Sequence, residues 1–284
     1  MSDIYVGILI MAAFAAVVFF AALRLTRSAP RSLCDLLALA TVLCIVLYIR
    51  DLWDNMLLAK LLPYSNLIVV GNWFPLAVGF LAGLVFRRLP GRIWRKSLSM
   101  VSLFAIGVYS IARPLMGAPP RCGDRWQDQV SLQTTNATCS AACAATLLRA
   151  HGISANEREM AELCLTRKGT YWQGLYRGLK LKTAQTPWDV EVFAGSVEEL
   201  DEMLGSPAIL IVRLDADASV SQHYIEEWGW IPGVSHSTVF FGFLGDNMVR
   251  MGDPAFGREE WTRHDLQLLW QGQGLRLVRR ADWD

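Results

Sequence analysis

The chain has 284 residues, of which 53% are apolar, and its formal net charge is +1. The net charge itself says nothing about nucleic acid, and since no stripe of basic and aromatic residues suggests one, no nucleic-acid partner is predicted. The length fits one soluble domain of ordinary size plus an additional segment, and the apolar excess comes from the first third of the chain.

Four apolar stretches in that first third predict a transmembrane region. The predicted helices cover residues 4–23, 33–49, 67–86 and 97–113, within an all-α region over residues 1–117. A hydrocarbon core of ~30 Å needs about this length of apolar helix. Pro75 lies inside the third stretch and predicts a kink there. The first stretch is too long for a secretory signal and has no basic segment before it. The sequence therefore predicts a multi-pass protein whose surroundings are a lipid bilayer.

Lys and Arg are distributed unevenly among the predicted loops. The second loop holds only Arg50 and Lys60. The first and third loops together hold eight basic residues, which are Arg24, Arg27, Arg31, Arg87, Arg88, Arg92, Arg95 and Lys96. Because cytoplasmic loops are enriched in basic residues, loops one and three are predicted to face the cytoplasm of a bacterial inner or plasma membrane. The domain that follows the fourth helix is then expected outside the cytoplasm.

The segment Gly117-Ala-Pro-Pro120 predicts a short, stiff spacer, so a second domain is expected over residues 118–284. Helical patterns come first in this domain, at Ala141–His151, Glu157–Leu165, Trp172–Leu181 and Val197–Leu204. Strand patterns follow, at Ala208–Leu214, Ser237–Phe243, Met248–Met251 and Leu275–Arg279. Helices followed by strands predict an α+β fold.

Cys139 is the strongest candidate for a catalytic residue in this domain. It stands where a loop turns into the small-residue run Ser140-Ala-Ala-Cys-Ala-Ala, which predicts a helix. A cysteine in the first helical turn meets unpaired backbone N–H groups and the positive end of the macrodipole, which favour the thiolate. His236 and Asp253 follow far along the chain, and a histidine and an acid are the partners that a thiol nucleophile needs.

Other histidines and acids compete for these roles. His151 is predicted at a helix C-terminus, His223 in a long loop and His264 in a late helix. Asp246 competes with Asp253, but the pair Asp246-Asn247 is typical of a hairpin turn.

The order and spacing of these residues resemble a known family. From about Gln133 to Leu277 the chain is similar to the bacteriocin-processing, double-glycine cysteine peptidases. In that family a Gln precedes the nucleophilic Cys by six residues and a small or Cys residue follows it by four, which matches Gln133, Cys139 and Cys143. The other matching motifs are Leu147-Leu-Arg-Ala-His-Gly152, Gly169-Thr, Pro207-Ala-Ile-Leu-Ile-Val212, His236, Asp253-Pro254 with Arg258, and Trp270-Gln-Gly272.

The resemblance implies a papain-like α+β cysteine peptidase domain that acts on peptide or protein substrates. Cys139 would be the nucleophile, His236 the proton carrier and Asp253 the residue that orients the imidazole. Gln133 would donate its amide to the oxyanion, beside the backbone N–H of Cys139. The resemblance also implies cleavage after small residues such as a Gly-Gly pair. The whole chain is thus predicted to be a membrane-anchored cysteine peptidase.

Two departures from the family pattern stand out. The family has Asp-Cys-Gly at the nucleophile, whereas this chain has Thr138-Cys139-Ser140, so a narrowed or reshaped cleft is expected at Ser140. The segment from Asp215 to Ser235 is long and aromatic, and it is interpreted either as a mobile lid or specificity loop beside His236 or as a surface elaboration without a role.

Two other functions stay open at this point. A non-catalytic module of an export or maturation system would bind leader peptides without cleaving them. A thiol amidase or acyltransferase would use the same residues on a non-peptide substrate. A separate export machinery is a further expected partner, because the sequence has no phosphate-binding loop of its own.

The remaining cysteines give no sign of metal or cofactor chemistry. Cys34 and Cys44 are expected to pack as small apolar residues in the second span. In an oxidising compartment one disulfide could form among Cys122, Cys143 and Cys164, and the favoured pairing is Cys122 with Cys164. Since no Cys-x-x-Cys or His-x-x-x-His pattern occurs, neither a metal nor a cofactor is predicted.

Overall fold

The computed structural model describes residues 1–90, 92–203, 207–215, 222–226, 228–281 and 283. The chain divides into two units, Met1–Met116 and Gly117–Asp284. The first unit is helical. Its helices are α1 (Ser2–Leu25), α2 (Arg31–Leu47), α3 (Leu58–Leu61), α4 (Leu67–Val70), α5 (Phe74–Arg88) and α6 (Ile93–Ala112).

Four helical stretches in the described chain are long and apolar enough to cross a membrane. They are Ser2–Leu25, Arg31–Leu52, Leu67–Arg88 and Ile93–Leu115, and they overlap the four predicted spans. Large apolar side chains on them are exposed, such as Leu9, Phe20 and Leu39. In water such surface would be unfavourable, whereas in a bilayer it would contact acyl chains.

Two glycines allow α5 to pack closely against α1. A side chain at Gly79 would come within 2.7 Å of the backbone oxygen of Ala15, and one at Gly83 within 2.7 Å of the Ala22 side chain. Small residues four apart are typical of membrane helices whose backbones approach each other, because apolar packing gives no advantage over lipid. The Gly79–Gly83 pair therefore fixes how these two helices cross.

The third span is interrupted, but not by a kink at Pro75 as the sequence predicted. The helical pattern stops after α4, and Pro75 lies in the first turn of α5, where a missing N–H costs little. Side chains from other helices take up the freed backbone groups. The Tyr48 hydroxyl donates to Gly71 O at 2.6 Å, and Asn72 Nδ2 donates to Ser110 O at 3.1 Å. The break is thus supported by protein contacts, as it would have to be if this helix crossed a bilayer.

The second unit combines helices with two antiparallel sheets. Its helices are α7 (Cys139–Ala150), α8 (Glu157–Leu163), α9 (Trp172–Thr183), α10 (Val197–Met203), α11 (Gln222–Glu226) and α12 (Arg263–Leu269). Its strands are β1 (Arg125–Gln127), β2 (Val130–Leu132), β3 (Trp188–Ala194), β4 (Ala208–Arg213), β5 (Ser235–Leu244), β6 (Met248–Asp253), β7 (Gly257–Thr262) and β8 (Trp270–Arg279). Strands β1 and β2 form a hairpin, and the larger sheet has the order β3-β8-β4-β5-β6-β7.

The α+β prediction agrees with this arrangement, although the strict order of helices before strands does not. Four helices and four strands lie where their patterns predicted them, except that Leu204, the last residue of one predicted helix, is outside the described residues. Strand β3 precedes α10 in the chain, and the sequence interpretation included neither β3 nor β7 nor the β1–β2 hairpin. The large sheet therefore has two more strands than predicted, and both are edge strands.

Helix α7 is the central helix of this unit. Every residue from Ser140 to Leu148 is buried, and the helix contacts β2, β5, α8 and α9. Alternation along β5 gives its two sides different neighbours. Ser237 contacts α7, whereas Phe240, three residues later, belongs to an apolar cluster on the other side of the sheet. The start of α7 is thereby held beside the start of β5.

Candidate active site

Cys139 is the first residue of α7, as predicted, and its side chain is half-buried. The preceding residue, Thr138, makes no side-chain hydrogen bond that caps the helix. Its hydroxyl instead donates to Thr135 O at 2.8 Å and fixes the turn that leads into α7. The backbone N–H groups of the first helical turn therefore lie next to the thiol, without a cap that would compete for them.

His236 and Asp253 lie next to each other at the adjacent ends of β5 and β6. The imidazole Nε2 of His236 is 3.1 Å from both carboxylate oxygens of Asp253. Asp253 is buried, and its Oδ1 also accepts the backbone N–H of Ala255 at 2.7 Å. The carboxylate is thus held rigidly and can fix the ring orientation of His236.

His236 lowers the pKa of the Cys139 thiol through hydrogen bonding and charge, and Cys139 in turn raises the pKa of His236. Since Nε2 faces Asp253, Nδ1 is the ring nitrogen that remains for the sulfur. Burial alone raises the pKa of Cys139, but the hydrogen bond with His236 and the backbone N–H of Ser237 outweigh it, so this pKa lies below its ordinary value. Burial alone lowers the pKa of His236, but its bonds to Asp253 and Cys139 raise it to about 10. Between the lowered pKa of Cys139 and the raised pKa of His236 the pair exists as thiolate and imidazolium, the reactive form for attack on a carbonyl carbon.

Gln133 lies beside the acid of this group. Its backbone N–H donates to Pro254 O at 2.7 Å, directly after Asp253. The side-chain oxygen of Gln133 is buried and has no hydrogen-bond partner among the described residues. Oxygen and nitrogen of such an amide are assigned from their contacts and can be exchanged. The amide group of Gln133 therefore has unused hydrogen-bonding capacity, and its role as an oxyanion donor stays a prediction.

Glu157 anchors the segment that carries Gln133, and the sequence interpretation missed it. Its carboxylate is fully buried and accepts Thr134 N and Thr134 Oγ1, both at 2.6 Å, and Gly123 N at 3.1 Å. A buried carboxylate with three donors is satisfied, whereas an unpaired one would be strongly unfavourable. The sequence showed only an acidic helix start at this point, because the acceptor and its donors are 23 or more residues apart.

The structure places the competing residues elsewhere. His151 ends α7 and its Nδ1 lies 2.9 Å from Leu147 O, and His264 is an exposed residue of α12. His223 lies in α11, with its side chain outside the described part of the chain. Asp246 belongs to the turn between β5 and β6, as predicted. None of the described groups of His, Cys, Asp and Glu has an arrangement that could hold a metal ion.

The described part of the Asp215–Ser235 segment contributes aromatic residues that pack beside His236 and against one another. The Trp230 and His236 rings are 5.6 Å apart at 85°, and Trp230 also contacts Trp261. Tyr224 is buried, and its hydroxyl donates to Asp265 Oδ1 at 2.6 Å. The mobility expected of a lid therefore does not fit these anchored side chains. Residues 216–221 and 227 of the predicted insert lie outside the described chain.

Ser140 is buried at the start of α7, and its expected narrowing or reshaping of the cleft stays a prediction. It is 6% exposed, and its hydroxyl lies 2.8 Å from the Ser237 hydroxyl, beneath the helix. The residue at the second position of a helix can direct its side chain back toward the preceding turn or toward the packed face, and here a polar partner on β5 favours the packed face.

The predicted Cys122–Cys164 disulfide is absent, because all six cysteines are free thiols. Cys122 Sγ donates to Pro120 O at 3.4 Å, whereas Cys164 lies against Gly178, where a side chain would come within 2.3 Å of its sulfur. Burial raises the pKa of Cys122, that of Cys164 to about 12, and that of Cys143 well above its ordinary value. These thiols are therefore poor nucleophiles near neutral pH.

Selective alkylation follows from these pKa directions. At mildly acidic pH, iodoacetamide is expected to label Cys139 rapidly and the other cysteines slowly, since only Cys139 is paired with an imidazolium. Peptide mapping by mass spectrometry after short exposure measures this directly. Cys139→Ala protein is the control, and equally fast labelling of that variant would show that the reactive thiol is a different residue.

Comparisons with known proteins give structural matches that cover slightly more than half of the chain. No protein-family profile and no curated protein matches the sequence. The peptidase domain of Streptococcus ComA, a bifunctional ABC transporter involved in a quorum-sensing pathway, aligns at 19% identity over 53% of this chain and 98% of that chain, with a TM-score of 0.42. A double-glycine-motif protease from an AMS/PCAT transporter, solved with a leader peptide, aligns at 16% identity over 56% and 96%, also with a TM-score of 0.42. The peptidase domain of Streptococcus mutans ComA aligns at 18% identity over 53% and 98%, with a TM-score of 0.37. At these scores the likeness assigns no activity, so a functional proposal depends on the site itself.

Proposed function

We propose that this protein is a membrane-anchored cysteine peptidase whose catalytic residues are Cys139, His236 and Asp253. The observation that carries the proposal is the contact of the His236 imidazole with the buried Asp253 carboxylate at 3.1 Å, together with the lowered pKa of the Cys139 thiol and the raised pKa of the His236 imidazole, which each residue causes in the other. A protein that only packs a cysteine and a histidine has no need to ionise them. Perturbed titratable groups in a shared site are typical of catalysis.

The chemistry proceeds in two halves. The Cys139 thiolate attacks the carbonyl carbon of the scissile amide, and the His236 imidazolium passes its proton to the departing nitrogen as the C–N bond breaks. This leaves an acyl thioester and a neutral imidazole. His236 then takes a proton from the water that attacks the thioester, which releases the acid product and restores the ion pair. Asp253 keeps the imidazole oriented through both halves.

Gln133 is proposed as the donor to the oxyanion that forms in each half. Its segment is fixed by Pro254 O on one side and by Glu157 on the other. The backbone N–H of Cys139, at the start of α7, is the second donor. Donors held in place before the reaction stabilise developing charge without reorganisation, which is the main source of their effect.

The substrate class proposed is a peptide or protein cleaved after small residues such as Gly-Gly. This preference rests on the sequence resemblance to double-glycine peptidases. A separate export machinery is proposed as a partner on the same basis. Leader-peptide binding without cleavage, and amidase or acyltransferase activity on a non-peptide substrate, are the other outcomes that an experiment must separate.

A fluorogenic peptide library on the detergent-solubilised full-length protein separates these three outcomes. The proposal predicts cleavage of a subset of peptides by the parent protein and none by Cys139→Ala. Peptides that bind without being cleaved would indicate a binding module. Transfer or hydrolysis of non-peptide amides alone would indicate an amidase or acyltransferase, and either result would overturn the proposal.

The second unit is proposed to lie outside the cytoplasm. The count of eight basic residues against two in the loops favours this orientation. Arg88 pairs with Asp35 at 2.7 Å, and Arg87 donates to Arg27 O, so the ends of α1, α2 and α5 that carry the basic residues lie together. This arrangement supports a common side for the first and third loops.

Alkaline phosphatase fused after Asp284 is expected to be active, because it folds only outside the cytoplasm, and a fluorescent protein fused at the same position is expected to be dark. Alkaline phosphatase and a fluorescent protein that matures only in the cytoplasm give opposite signals, so each serves as the control of the other. An inactive phosphatase together with a fluorescent second fusion would contradict the proposed orientation.

A further inference from the structure

Ser237 contacts the start of α7 through three different groups. Its backbone N–H contributes to the lowered pKa of the Cys139 thiol. Its hydroxyl lies 2.8 Å from the Ser140 hydroxyl, and its carbonyl accepts Cys143 Sγ at 3.1 Å. Ser237 directly follows His236, and Ser140 directly follows Cys139. Ser140 and Ser237, which follow the proposed catalytic Cys139 and His236, are therefore hydrogen-bonded to each other.

We propose that Ser140 and Ser237 are positioning residues, which together form a clamp that fixes the separation and orientation of Cys139 and His236. The clamp, defined as the Ser140–Ser237 hydroxyl pair, joins the first turn of α7 to the start of β5. Its importance for catalysis rests on the proposed function above. Its existence as a contact between the helix and the strand does not.

The burial of the clamp explains how it favours one arrangement of α7 against β5. Ser140 and Ser237 are 6% and 2% exposed, and the short contact between their hydroxyls is stronger than the 3.9 Å contact of Ser140 Oγ with Cys139 Sγ. A buried hydroxyl without a partner is unfavourable, and the pair therefore selects the one arrangement of α7 and β5 that satisfies both. The next helix positions are Ala141 and Ala142, which pack without any polar requirement. An alanine at position 140 would fill the space, but it would not determine the register.

The clamp also affects the hydrogen-bond donors that surround the Cys139 sulfur. Ser140 Oγ lies 3.9 Å from Cys139 Sγ. When Ser237 donates its hydroxyl proton to Ser140, the Ser140 proton is free to point toward the thiolate. The clamp thus adds a weak donor to the sulfur and holds the backbone N–H of Ser237 in place for the same atom. A small displacement of a reacting group is known to reduce turnover strongly.

Ser140→Ala, Ser237→Ala and the double variant test the clamp in the full-length protein. Each single substitution is expected to lower kcat by ~10-fold with little change in KM, and to move the pH midpoint of iodoacetamide labelling of Cys139 upward. The kcat of the double variant is expected to be no lower than that of the less active single variant, because both single substitutions break the same contact. Ser131→Ala is the matched control, since the Ser131 hydroxyl is buried without a hydrogen-bond partner in the described chain.

Three results would overturn the clamp. The first is that both single variants match Ser131→Ala in kcat and in the labelling profile. The second is a change in Tm alone, which would mean that the hydroxyls only support packing. The third is that the two losses multiply in the double variant. If Ser237→Ala does not fold, Ser140→Ala decides alone, because alanine suits a helix better than serine does.

The labelling profile separates failure of the clamp from failure of the proposed function. Alkylation of Cys139 needs no peptide substrate. If no peptide is cleaved but Ser140→Ala still shifts the labelling midpoint, the clamp stands and the peptidase proposal fails. If peptides are cleaved and neither readout changes in the variants, the clamp fails and the peptidase proposal stands.

Discussion

Asp253→Ala protein is expected to lose peptide turnover on the order of 10³–10⁴-fold. The carboxylate makes the only hydrogen bonds to Nε2 that the described residues provide, and it contributes to the raised pKa of His236. Without it the ring can rotate, and the imidazolium that must protonate the leaving amine is less stable. Steady-state kinetics on the best library peptide measures the loss, which should fall mainly on kcat.

The pH profile gives the same substitution a second readout. In the parent, activity should rise through the lowered pKa of Cys139 and fall as the pH passes the pKa of His236, at about 10. Loss of the carboxylate lowers the pKa of His236, so the alkaline limb should move toward neutral pH. Asp253→Asn is the control, since its amide oxygen can still accept from Nε2 but carries no charge. Activity of Asp253→Ala within tenfold of the parent would show that Asp253 has no orienting role.

Gln133→Ala protein is expected to lose turnover by ~10²–10³-fold with little change in apparent substrate affinity. The charge that this amide would meet exists only in the transition state, so removing the donor lowers kcat and kcat/KM together. Labelling of Cys139 by iodoacetamide should be unchanged, because His236 and the start of α7 still stabilise the thiolate. The separation of these two effects distinguishes an oxyanion donor from a residue that takes part in proton transfer.

Gln185→Ala is a suitable control for this experiment, because Gln185 is an exposed turn residue after α9. It should behave as the parent in both assays. If Gln133→Ala keeps turnover within a few-fold of the parent, or loses alkylation as well as turnover, the oxyanion assignment is wrong.

The sequence predicted those parts of the site that leave a local signal. The small-residue run after Cys139 predicted the helix that now begins at that residue. The turn at Asp246 predicted the hairpin whose strands bring His236 and Asp253 together, because antiparallel neighbours place residues on either side of a turn close in space. These are short-range patterns, and the structure agrees with them.

The parts that sequence patterns missed depend on contacts between distant residues. The Ser140–Ser237 pair spans 97 positions, and nothing in either neighbourhood indicates it. Strand β7, Gly257–Thr262, has charged residues on its exposed side and a single large buried residue, Trp261, so its pattern is weak. The aromatic insert was interpreted as mobile, but Trp230 is anchored against His236 by packing that only the fold reveals.

The proposed mechanism requires that Cys139 form the covalent bond with the substrate. The most direct test treats the protein with a peptide from the library whose scissile amide is replaced by an electrophilic ketone, followed by peptide mapping and by an assay of residual cleavage. We predict one label per chain, on Cys139, in proportion to the activity lost, with protection by excess substrate and no label in Cys139→Ala. Cleavage that continues after Cys139 is fully labelled, or a label on another residue that tracks the loss of activity, would contradict the claim.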